Sequence, residues 1–102
     1  MKTIQLFNQN VTTGQAVSGS VVAPVAKYNE DAIVQVSMSV ACTVRIQGRS
    51  SPVAPWVNIR LTPAGDISFT ASGYGTIPLF PEMRVDITGG ASTSDVQVWL
   101  VD

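Results

Sequence analysis

The sequence predicts an all-β fold, a single antiparallel β-sandwich or jelly-roll-like domain of about eight strands. Three observations carry this prediction. Apolar residues recur at every second position and almost never at the three- or four-residue spacing of a helix face. Turn chemistry punctuates the chain at intervals of about 8–12 residues, the spacing of sandwiches and barrels. The best helical window, Ala23 to Ala32, holds Pro24 and has no apolar stripe.

In chain order, Thr3 to Phe7 reads as a strand, followed by a segment, Asn8 to Val25, made almost entirely of Asn, Gln, Thr, Ser, Gly, Ala and Val. That composition suits an edge strand or an extended arm, either an ordinary edge with loops or an arm that pairs with a neighbouring chain. Residues 1–30 are therefore expected to form an N-terminal strand or arm of the same domain, and residues 31–102 the sandwich core. In Asp31 to Val40, Val34, Val36, Met38 and Val40 alternate with Gln35, Ser37 and Ser39. Thr43 to Gln47 repeats the pattern with Val44 and Ile46 inward, and Val57, Ile59 and Leu61 alternate with Asn58 and Arg60. Further strands are expected where Ile67, Phe69 and Ala71 alternate with Ser68 and Thr70, and at Tyr74 to Leu79. Met83, Val85 and Ile87 alternate with Arg84 and Asp86, and Val96, Val98 and Leu100 with Gln97 and Trp99. Between them lie Gly48-Arg49-Ser50-Ser51-Pro52, Thr62-Pro63-Ala64-Gly65-Asp66, Ser72-Gly73-Tyr74-Gly75 and Gly89-Gly90-Ala91-Ser92, each rich in turn formers.

Composition narrows the function. The chain has 102 residues, 45% hydrophobic and 13% charged, with a formal net charge of −1. Its mean hydropathy of +0.25 excludes a disordered tail. Six Lys or Arg against seven Asp or Glu leave no electrostatic footprint for a polyanion, so neither nucleic acid nor an anionic membrane is an expected partner. The single cysteine, Cys42, excludes an intramolecular disulfide and reads as a buried, inert thiol. No secretory signal and no stretch of membrane-span length is present, so synthesis in a host cytoplasm is expected.

Histidine is absent, which removes the commonest general base and zinc ligand. The carboxylates Glu30-Asp31, Asp66 and Asp86 lack the close spacing of a calcium loop, and Gly73-Tyr74-Gly75 lacks the helix a phosphate cradle needs. No serine has a visible base beside it. A non-enzyme with no catalytic residues, no metal and no cofactor is therefore expected.

The candidate functional residues are aromatic and cationic. Trp56 and Trp99 fall on the polar phase of their strands, where an idle tryptophan is costly and an interface or stacking platform is a natural use; the competing reading is a Trp that covers one end of the sandwich. Arg45, Arg60 and Arg84 share the outward phase of three strands, where with Asp86 they either build a lattice of ion pairs or stand as ordinary surface arginines. Tyr74 joins the two tryptophans as an interface candidate.

The succession Val44-Arg45-Ile46-Gln47-Gly48-Arg49-Ser50-Ser51, Trp56-Val57-Asn58-Ile59, Ile67-Ser68-Phe69-Thr70, Pro81-Glu82-Met83-Arg84-Val85-Asp86-Ile87-Thr88-Gly89 and Val96-Gln97-Val98-Trp99-Leu100 resembles small β-sandwich virion proteins of tailed bacteriophages. The likeness covers residues ~40–102. The acidic-Gly turn usual in that group before the Trp is replaced here by Pro52-Val53-Ala54-Pro55. Such text also occurs in discoidin-like and carbohydrate-binding sandwiches. The resemblance implies a capsid decoration or cement protein, located in the virion. It would associate with itself as a homo-oligomer, a trimer being one arrangement, and with the major capsid protein. The rival implication is a carbohydrate- or receptor-binding module of a tail or fibre, in which Trp56, Tyr74 or Trp99 stacks on a host glycan.

Overall fold

A computed structural model describes residues 3–22, 31–60 and 68–101. They form eight strands: β1 (Thr3–Val11), β2 (Ala16–Ser18), β3 (Asp31–Met38), β4 (Thr43–Arg49), β5 (Val57–Asn58), β6 (Gly73–Pro78), β7 (Glu82–Thr88) and β8 (Ser94–Val101). Two four-stranded antiparallel sheets result, ordered β1-β8-β3-β6 and β2-β7-β4-β5. The β4·β5 hairpin sits in the second sheet, β3·β6 in the first, β2·β7 in the second and β1·β8 in the first. A long eight-stranded hairpin has thus been rolled so that its successive pairs alternate between sheets, which is the jelly-roll topology.

The alternation read in the sequence is what lets the sheets stack. Val34 and Val36 of β3, Val44 and Ile46 of β4, Val85 and Ile87 of β7, and Val96, Val98 and Leu100 of β8 all turn inward and are 2% exposed or less. They join one apolar cluster with Val11, Ile77 and Met83. Gly48 also lies on the inner phase of β4, and a Cβ there would meet the Phe80 ring at 2.5 Å. The missing methyl leaves room for that ring.

The N-terminal segment is built into both sheets. β1 runs beside β8 from Thr3 to Val11, with a bulge between Gln5 and Phe7 that turns both Leu6 and Phe7 into the core. A turn at Thr12–Gln15, with Gly14 at φ 67°, carries the chain over to β2.

Two expectations are corrected. The expected strand Ile67 to Ala71 is reduced, among the described residues 68–71, to a bridge at Phe69, which exchanges both backbone hydrogen bonds with Val44; Ile67 lies outside the described residues. The expected strand Val57 to Leu61 is reduced to Val57–Asn58, with Ile59 donating to the carbonyl of Ile46; Val57 is 47% exposed and Leu61 is outside the described residues. The outer edge of β4 is shared between these two short segments. The helix-excluded window Ala23 to Ala32 lies outside the described residues apart from Asp31 and Ala32, which open β3.

Serines close the end of β3. Ser94 is fully buried; its Oγ accepts from the Val40 N–H at 3.1 Å and donates to the Val40 carbonyl at 2.7 Å. Ser72 does the same for Met38, at 2.9 and 3.2 Å. Each hydroxyl replaces a strand partner for one residue, so the chain can leave the sheet with its polar groups satisfied.

Candidate functional site

The register of β4 against β7 creates a ladder on the outer face of the second sheet. It pairs Arg45 with Asp86, Gln47 with Arg84 and Arg49 with Glu82. Because side chains alternate, all six stand on the same face. Arg49 Nε donates to Glu82 Oε1 at 2.6 Å, Arg84 Nε donates to Gln47 Oε1 at 2.8 Å, and Gln47 Nε2 donates to Asn58 Oδ1 at 3.0 Å. Arg45 and Asp86 approach only to 3.9 Å, and Ser18 donates to Asp86 Oδ1 at 3.3 Å.

Trp56 lies on this ladder. It precedes β5 and belongs to no strand, so the phase argument made for it in the sequence does not apply. Its ring is held by two cations, Arg49 at 4.3 Å and Arg84 at 4.4 Å from the ring centre. Among the six ladder residues, three arginines stand against two carboxylates. Arg60, expected to share this phase, follows β5 and is exposed. Arg49, Glu82 and Gln47 were not candidates from the sequence. Arg49 stood in a turn signal, although the alternation Arg45-Gln47-Arg49 continued through Gly48 and could have placed it.

The outer face of the first sheet is built differently. Register places Thr3, Val101, Ile33 and Thr76 in one row, Gln5, Trp99, Gln35 and Tyr74 in the next, and Asn8, Gln97 and Ser37 in a third. None of these eleven side chains is charged. Asp31, opposite Pro78, and Asp95, opposite Asn10, bound the face at its two ends. Ile33 is 47% exposed and Tyr74 79% exposed, while Trp99 is half-buried between two glutamines. The structure therefore separates the two tryptophans. Trp56 sits with Arg84, and Trp99 shares a row with Tyr74 on the opposite face.

Cys42 is buried, and that burial pushes its thiol above the usual range, a hydrogen bond with Ser94 opposing the shift. Among the described residues no group of three His, Cys, Asp or Glu side chains could hold a metal ion, and no helix is long and apolar enough to cross a membrane. Set against known protein families, curated proteins and solved structures, the chain gives no match.

Proposed function

We propose that the chain is a structural protein of a phage virion, a decoration or cement protein that binds the capsid shell and reinforces it through protein contacts. The observation that carries this reading is the uncharged outer face of the first sheet. Isolated apolar side chains on a surface are ordinary, but three rows without a charge, holding Trp99, Ile33, Val101 and an exposed Tyr74, have the composition of an interface centre, from which charge is depleted and in which aromatics are enriched. Jelly rolls also recur in viral coats, although a fold hosts many roles and this support is analogy.

The test is made on particles. Mass spectrometry of purified virions from the phage that encodes the chain should find it in stoichiometric amounts, and Trp99→Arg or Gln35→Lys should lower its occupancy on the shell. Absence from virions overturns the reading.

A second reading, a glycan-binding module of a tail or fibre, is favoured by one observation. Tyr74 is the most exposed aromatic candidate and stands opposite the Gln35 amide, so ring stacking and a hydrogen bond are available side by side. The ring of Trp56 is already covered by two guanidinium groups. Glycan binding lost on Tyr74→Ala, with shell occupancy unchanged, would select this reading.

A further inference from the structure

We propose that β1 is a dimerisation edge, pairing antiparallel with β1 of a second copy so that two first sheets join into one. Of the four sheet edges, three are blunted. β2 has three residues and β5 two, and β6 is broken by Gly73, Gly75 and Pro78. These are the ordinary devices by which proteins keep edges from pairing. β1 has nine residues, Thr-Ile-Gln-Leu-Phe-Asn-Gln-Asn-Val, with no charge, no proline and no glycine, and among the described residues it pairs on one side only, with β8. A groove of about 350 Å³ runs along its free side, between Gln5, Phe7 and Gln9 and the segment Ser18, Ser20 and Val22.

The occupant is argued from the strand itself. Beyond the bulge, β1 is regular from Phe7 to Val11. A two-fold axis through Gln9 would set Asn8 opposite the second copy's Asn10 and Gln9 opposite its own counterpart, an isologous arrangement in which no like charges meet and the carboxamides can hydrogen-bond in pairs. The groove likewise offers no charge to an incoming strand, which suits a neutral partner of this composition.

This pairing does not depend on the virion reading, and its test uses the purified chain instead of particles. Light scattering or sedimentation should give twice the 10.8 kDa chain mass. Asn8→Lys with Asn10→Lys sets lysine against lysine across the axis and should return the mass to that of one chain at the same concentration. Asn8→Lys with Asn10→Glu sets lysine against glutamate and should keep the dimer. Both positions are exposed, and circular dichroism with a thermal melt verifies that each variant is folded. A wild-type chain monomeric up to its solubility limit, a folded double-lysine variant that stays dimeric, or a folded lysine–glutamate variant that falls to one chain overturns the proposal. A dimer lost on Trp99→Arg but kept by the double-lysine variant shows instead that the sheet face is the contact, which also overturns it.

Discussion

Arg49 holds two partners at once. Its Nε lies 2.6 Å from Glu82 Oε1, and its guanidinium carbon lies 4.3 Å from the centre of the Trp56 ring. The side chains of the pair are only 19% and 23% exposed, against 32% and 31% for Arg45 and Asp86 at 3.9 Å. The closer, drier pair gains more from the same chemistry because solvent screens it less. Arg49→Ala should lower stability by about 1–2 kcal/mol, whereas Arg45→Ala should cost less than about 1 kcal/mol. Urea denaturation of the two variants checks the order. Equal costs would remove the distinction drawn between the two rungs.

The buried Ser94 hydroxyl serves both backbone groups of Val40. Ser94→Ala removes a donor and an acceptor together and leaves the N–H and C=O of half-buried Val40 unserved, for an expected loss of about 1–2 kcal/mol. Ser72 plays the same part for Met38 at an exposed position where water can replace it, so Ser72→Ala should cost less than about 1 kcal/mol. Thermal melts of the pair read the difference.

Gly48→Ala drives a methyl into the Phe80 ring. Overpacking of this kind should cost about 1–3 kcal/mol. The cost should shrink when Phe80 is first replaced by Ala, a non-additivity that a double-mutant cycle measures directly.

Cys42 should react with a thiol-specific reagent far more slowly in the folded chain than in urea, because burial both shields the sulfur and disfavours its thiolate. Its raised folded pKa has a definite sign in stability. Below the range of an exposed thiol, about 8.5, both states are protonated and stability is unaffected by this group. As pH rises through that range, the unfolded state ionises first and stability falls, up to the folded pKa. Cys42→Ala should flatten this alkaline slope, as urea midpoints at neutral and alkaline pH would show.

The strands legible in the sequence were those whose pattern reports burial directly. β3, β4, β7 and β8 each have one face in the core, so their period of two survives. The Ser68-Phe69-Thr70 segment carries the same period, but the edge of β4 it would pair along is already divided with β5, and periodicity contains no information about who competes for an edge. The arginine and acid alternation on β4 and β7 was visible as Arg45-Gln47-Arg49 and Glu82-Arg84-Asp86. What hid the ladder was the register, together with Gly48, which reads as a turn until Phe80 is known to fill its place. Trp56 was singled out on a strand phase it does not have, and its real partners came from a loop bringing it back over β4 and β7.

The scarcity of charge in this chain is not evenly spread, and salt should therefore act on its two broad sides in opposite senses. On the β4–β7 side, added ions weaken whatever is held by the ladder's guanidinium charges. On the β8–β3 side, where contact would rest on excluding water from Trp99, Ile33 and Val101, a kosmotropic salt such as sulfate strengthens it. Ionic conditions would thus decide which of the two sheet faces lies against a surface.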